Sequence, residues 1–84
     1  MYELVFDENV ICVLEKLPAK IAYRIFKKLQ AAKTDPHRYF VRLKNRSEYK
    51  LRVGDYRVIA DIEDGMLKIL VLYVGHRKNV YKRI

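Results

Sequence analysis

The stretch Tyr49-Lys50-Leu51-Arg52-Val53-Gly54-Asp55-Tyr56-Arg57-Val58-Ile59-Ala60-Asp61-Ile62-Glu63-Asp64-Gly65 decides the fold. Apolar residues recur at every second position on both sides of Gly54-Asp55, the period of strands with one buried face. A glycine leading a two-residue loop is the preference of a type II′ hairpin, and Asp-Gly favours type I′. Two tight turns predict the register. Val53 lies opposite Tyr56, Leu51 opposite Val58 and Tyr49 opposite Ala60. Across Asp64-Gly65, Ile62 meets Leu67, Ala60 meets Ile69, Val58 meets Val71 and Tyr56 meets Tyr73. One face is then almost wholly apolar, with Tyr49, Tyr56 and Tyr73 in the core. Upstream, Phe40-Val41-Arg42-Leu43 reads as a further strand, followed by a polar turn at Asn45-Arg46-Ser47.

The first half has a different period. Tyr2-Glu3-Leu4-Val5-Phe6 alternates as a short strand. Asp7 can then cap a helix in which Val10, Val13, Leu14 and Leu17 recur at spacings of three and four, with Cys12 as a small buried hydrophobe. Pro18 stops that helix and suits the first turn of the next. There Ile21, Ile25 and Leu29 form one row beside Ala22 and Phe26, ending near Asp35-Pro36. Two helices joined at Leu17-Pro18 make a hairpin seated on the apolar face of the sheet. The expected class is α+β: a strand and helical hairpin on one face of a mainly antiparallel sheet of four to five strands, with a short C-terminal helix. The expected domain is a single one over residues 1–84.

Size and charge narrow the function. A chain of 84 residues has a thin core and no room for a second nucleotide- or cofactor-binding fold. Cys12 is the only cysteine, which excludes an internal disulfide. No apolar run approaches the roughly 18 residues of a membrane span. Glu3, Asp7 and Glu8 are unlike the basic start of a signal peptide, so a cytoplasmic location is expected. The net charge is +8, and most of the excess falls in residues 41–84, with eleven basic residues against five acidic. A cationic half on a compact fold suits a polyanion.

By the same register Arg52 lies directly opposite Arg57 on the second face, with Lys50 and Glu48 along the strand. Like charges opposite each other cost a sheet only about 0.2–1 kcal/mol, so two arginines splayed into water are one reading and a phosphate cradle is the other. The tail Gly75-His76-Arg77-Lys78-Asn79-Val80-Tyr81-Lys82-Arg83 adds four cations around a histidine and a tyrosine. Arg77 and Tyr81, four apart, share a face in a short helix. His37 and His76 are isolated, so no metal-ligand spacing occurs and no cofactor is implied. Nor is there a glycine-rich phosphate loop or a serine with a His/Asp pair. Arginine, lysine, tyrosine, histidine and one carboxylate suit metal-free RNA cleavage, in which the ribose 2′-OH attacks the adjacent phosphorus and guanidinium groups stabilise the phosphorane.

Tyr49-Lys50-Leu51-Arg52-Val53-Gly54-Asp55-Tyr56-Arg57-Val58-Ile59, then Val74-Gly75-His76-Arg77 and Tyr81, resemble the RelE/ParE toxin superfamily, RelE-like branch. Leu17-Pro18, Asp35-Pro36 and Leu43-Lys44 fit the same pattern. The resemblance implies the toxin of a type II toxin–antitoxin pair. RelE-like members cleave mRNA in the ribosomal A site, whereas ParE-like members poison DNA gyrase. It implies that Arg57 contacts the scissile phosphate, Arg77 stabilises the transition state and Tyr81 stacks on the nucleotide. Lys50 matches one of two active-site lysines. Glu48 replaces the other, and with His76 it offers an alternative base and acid. Arg52, Lys78, Lys82, Arg83, Lys27 and Lys28 are the expected RNA contacts, the two helix lysines toward ribosomal RNA. Ile59, Leu70, Leu72 and Val74 share the cationic face as an apolar patch for a RelB-like antitoxin. A basic RNA-binding module without chemistry is the remaining alternative.

Overall fold

The computed structural model describes residues 1–76. Strand β1 (Glu3–Phe6) leads into helices α1 (Glu8–Lys16), α2 (Ala19–Ala32) and the single turn α3 (Pro36–Tyr39). Strands β2 (Val41–Arg42), β3 (Tyr49–Val53), β4 (Tyr56–Glu63) and β5 (Lys68–His76) follow. The sheet order is β1-β5-β4-β3-β2; β1 runs parallel to β5 and the remaining pairs are antiparallel. The α+β expectation holds, with both long helices on one face. The expected C-terminal helix lies outside the described residues.

Local chemistry sets the helix ends. The Asp7 carboxylate accepts from the Asn9 backbone N–H at 3.1 Å, satisfying one of the first-turn donors. Leu17, the residue before proline, is extended at φ −75° and ψ 152°, which ends α1 and turns the chain into α2. Ile25, Leu29 and Ala32 are fully buried along α2, over Leu51, Val58, Ala60, Ile69 and Val71 of the sheet. Cys12, expected inside, is exposed: it falls on the outer side of α1, one residue off the Val10-Val13-Leu14 stripe. Phe26 is likewise exposed, its ring stacked on Phe6 at 6.5 Å. Between α2 and β2 the chain adds α3, with Pro36 in its first turn, so the strand expected over residues 40–43 shrinks to two residues.

The first hairpin forms as its sequence dictates. Gly54 has φ +58° and Asp55 is not left-handed, the pattern of a type II′ turn, and Val53 pairs with Tyr56. The Arg24 guanidinium also sits against Gly54, 3.5 Å from where a Cβ would stand.

The second hairpin departs from expectation. Its loop is the four residues Asp64 to Leu67, and the left-handed position is Leu67 at φ 53°, not Gly65. This register places Lys68 opposite Glu63 and Ile69 opposite Ile62, two favourable cross-strand pairs that a two-residue turn forfeits. The loop is also tied from outside. Asp64 Oδ1 accepts from the Tyr2 hydroxyl at 2.7 Å and lies 2.8 Å from His37 Nε2. Further along, a bulge makes Leu72 an extra residue: Ala60 pairs with Val71, but Ile59 pairs with Tyr73. Every later residue of β5 changes face. Val74, expected on the cationic face, is a core residue, and Tyr73, expected in the core, stands beside Ile59 on the outer face.

The Asp64 cluster joins β1, α3 and the β4–β5 loop, and its titration has a sign. The Tyr2 hydrogen bond, then that to His37, holds the Asp64 carboxyl below its ordinary value, and the same bond to Asp64 raises the Tyr2 hydroxyl. A lowered carboxyl contributes stability above its unfolded pKa and loses it as pH falls through the folded value. A raised phenol contributes below about 10 and loses it as pH rises further. Asp64→Ala is therefore expected to lower the thermal midpoint at pH 7. The gap from the parent chain should close as pH is taken below the ordinary carboxylate range. A midpoint unchanged at pH 7 would remove the cluster from the account.

Candidate functional site

Arg52 and Arg57 are cross-strand partners, as the register predicts. Val53 and Tyr56 close a two-residue hairpin, so the arginine pair next to them is of the non-hydrogen-bonded kind, in which side chains stand closest. The Arg52 carbonyl accordingly points away from β4, where Lys28 Nζ donates to it at 3.1 Å. The Arg52 side chain folds toward the turn, its Nε donating to the Gly54 carbonyl at 3.4 Å. Arg57 is 8% exposed. Lys50 pairs with Ile59 on one side and Val41 on the other, one pleat from the arginines on the same face.

Acids enter the cross-strand pairs of this face only toward its other end. Glu3, Lys68 and Glu63 form a ladder across β1, β5 and β4, an alternation of sign that neutralises the end near the second loop. At the end near the first hairpin no acid stands across from Lys50, Arg52 or Arg57 in the pairing. A cleft of about 270 Å³ opens there at the β3 edge, lined among the described residues by Lys28, Tyr39, Val41, Lys50, Leu51, Arg52 and Arg57. None of these described residues carries a carboxylate.

Not every expected residue joins this group. Glu48 precedes β3, and its carboxylate is 3.6 Å from the Arg46 guanidinium. His76 pairs with Tyr56, their rings edge to face at 5.4 Å, so the bulge has put it on the opposite face from Arg57. Glu48 and His76 are thus not brought together. Lys27 and Lys28 part company: the Lys27 ammonium lies 5.9 Å from the Tyr23 ring centre on the outside of α2, and Lys28 turns to the sheet. Of the expected antitoxin patch, Ile59 is buried and Leu70 and Leu72 are half-buried. Arg77, Lys78, Tyr81, Lys82 and Arg83 lie outside the described residues.

One residue of the cationic face was missed from sequence, and one expected as a ribosomal RNA contact lies beside that face instead. Tyr73 arrives there through the bulge, and its ring lies over Gly75, where a Cβ would meet ring and hydroxyl atoms at 2.9 Å. Alternation alone gives no warning of a bulge. Lys28 was legible in part: it is three residues after Ile25 and seven after Ile21, at the margin of the α2 apolar stripe.

With this geometry in place, comparison with known proteins is informative. A family model described as the ParE toxin of the type II toxin–antitoxin system parDE matches residues 4–81. The chain belongs to the RelE/ParE toxin superfamily. The isolated Escherichia coli RelE toxin is similar at 26% identity and TM-score 0.76, over 99% of this chain and 94% of that one. The intact E. coli RelBE complex matches at 27% and 0.77, over 90% and 96%. The Mycobacterium tuberculosis RelBE2 complex matches at 25% and 0.79, over 90% and 98%. Comparison with curated sequences gives no match. No helix among the described residues is long and apolar enough to cross a membrane.

The arginine pair supplies a stability test. Arg52→Glu turns a like-charged cross-strand pair into an opposite one. We expect the urea midpoint to rise, by about 0.2–1 kcal/mol in free energy, with the gain shrinking in high salt. A fall in stability at low salt would show that Arg52 and Arg57 do not repel each other in the free protein.

Proposed function

We propose that this toxin is a ribosome-dependent mRNA endoribonuclease of the RelE-like kind. The observation that carries the reading is the Arg52–Arg57 pair on adjacent strands, with Lys50 one pleat away and no acid among the described residues that line the cleft beside them. Strand-borne guanidinium groups are preorganised, which is what transition-state charge stabilisation requires. Arg57 binds the scissile phosphate. The ribose 2′-oxygen gives up its proton, attacks phosphorus, and the 5′-oxygen leaves and is protonated. The products are a 2′,3′-cyclic phosphate and a 5′-hydroxyl. Glu48 takes the 2′-OH proton, Lys50 holds the carboxylate and phosphorane electrostatically, Arg77 neutralises the developing charge, and Tyr81 stacks on the nucleotide. Arg52, Lys78, Lys82 and Arg83 contact RNA backbone, and Lys27, outward on α2, contacts ribosomal RNA. A RelB-like antitoxin covers the outer face over Leu70 and Leu72, with acids for the +8 surface. The cell compartment of such a toxin is the cytoplasm.

A second reading has its own support. The family model that matches is that of the ParE toxin, and Glu48 stands where the RelE pattern has a lysine. On that reading the same cationic end binds gyrase and cuts nothing.

Programmed ribosomes decide between them. Cleavage in the A site is expected only with ribosomes present, leaving a cyclic phosphate end, and Arg77→Ala is expected to lower the rate by about 10²–10³ while antitoxin binding survives. Glu48→Gln should slow cleavage far more than Glu48→Lys. If the parent chain leaves mRNA whole yet inhibits gyrase supercoiling, the ParE-like reading replaces this one.

A further inference from the structure

We infer that Lys28 belongs to the substrate groove, and that the cleft at the β3 edge binds a second phosphodiester of the single-stranded RNA, next to the one on Arg57. The inference rests on the nuclease reading and extends it past the reacting phosphate. Strand β2 pairs only with Tyr49 and Lys50, so the edge of β3 lies open from Leu51 to Val53. The cleft of about 270 Å³ occupies that open edge, reaching from Arg57 and Lys50 on the outer face to Lys28 and Tyr39 on the helix side.

Four cationic side chains line it, Lys28, Lys50, Arg52 and Arg57, and among the described residues no carboxylate does. In water each pair of unit charges repels by about 1 kcal/mol at 4 Å, and more where protein excludes solvent. A surface with no anionic ligand relieves such crowding with one acid. Here Glu3 and Glu63 stand at the far end of the face, and Glu48 and Asp55, nearer in sequence, do not line the cleft. Lys28 is also held in position. One of its three N–H donors is on the Arg52 carbonyl, and among the described residues the others have no protein acceptor. An ammonium fixed by its neighbour's backbone beside three other cations is a phosphate donor in waiting.

The shape selects the strandedness. The cleft turns over a sheet edge and is too small for a duplex, whereas a single strand can bend across it. Tyr39, half-buried, and Val41, 60% exposed, give apolar walls for sugar or base.

The test is anisotropy binding of a fluorescent single-stranded oligonucleotide carrying 2′-O-methyl groups throughout, which cannot be cut, over a range of salt. Lys28→Met is compared with Lys16→Met, which removes the same charge from α1. Losing one phosphate contact should reduce the slope of log affinity against log salt by about 0.7 for Lys28→Met and leave it unchanged for Lys16→Met. Lys28→Arg should restore most of the slope. On programmed ribosomes Lys28→Met should raise KM several-fold with kcat within about twofold. Equal slopes for the two methionine variants would overturn the proposal. So would a Lys28→Met chain with a lowered thermal midpoint and an unaltered slope, since Lys28 would then serve only the strand edge. If the parent chain fails to cut on ribosomes while the slope falls as stated, the groove stands and the nuclease reading falls. A parent chain with no salt-dependent RNA affinity overturns both.

Discussion

Gly54 stands at φ +58°, and the two-residue turn it heads leaves Val53 facing Tyr56. The outer face inherits its charge pattern from that register. Slipping β3 by one residue against β4 would turn Leu51 and Val53 to water and carry Lys50 and Arg52 under the helices. Each buried aliphatic side chain is worth about 1.5–3 kcal/mol, against about 0.2–1 kcal/mol for the repulsion between two opposed arginines. The core decides, and the arginine pair is tolerated because removing it by slippage costs several times more. A cationic pair on rigid strands is thus a by-product of burial, available for use at little cost to the fold.

The contrast between the two hairpins shows what a sequence makes legible. Gly54-Asp55 is read correctly because its information is local: the glycine supplies the left-handed φ and the flanking pattern needs nothing else. Asp64-Gly65 carries an equally strong local signal and is overruled. Its aspartate is claimed by Tyr2 and His37, 62 and 27 residues away, and the pairing gains Glu63–Lys68 and Ile62–Ile69 by widening the loop. The bulge at Leu72 is less legible still, since Leu70, Leu72 and Val74 alternate without a break. Of the site, Arg52, Arg57 and Lys50 followed from the first hairpin and were placed correctly. Val74 and Tyr73, both beyond the bulge, were placed on the wrong face by one residue of register, and His76, expected beyond the last strand, ends β5 opposite Tyr56.

That one residue shapes the face as well as its bookkeeping. It takes a histidine away from the arginines and brings a tyrosine to them, and it sets Gly75 opposite Arg57. A glycine there leaves the Tyr73 ring room to lie flat across the strand, where any side chain would collide with it. The floor beside Arg57 is therefore aromatic, with no further charge from β5. Together with the Glu3–Lys68–Glu63 ladder at the other end, this concentrates the unbalanced positive charge at the first hairpin and the open β3 edge.

Within that arrangement Glu48 is the exception. Arg57 and Lys50 are strand residues paired on both sides and Arg52 is paired to β4, whereas Glu48 stands just before β3, after a turn in which Asn45 is left-handed at φ 62°. Its carbonyl is held by the Leu43 N–H at 2.9 Å, but its carboxylate is 3.6 Å from Arg46, another residue of the same turn. A base must reach the proton it removes, and a carboxylate engaged by a turn arginine reaches only if that pair yields. Phosphate binding and proton removal are therefore separable in this fold. The first is built into the sheet, and the second depends on a short irregular segment. On the proposed function the cationic strands hold the phosphate, and the residue beside them determines whether it is also cut.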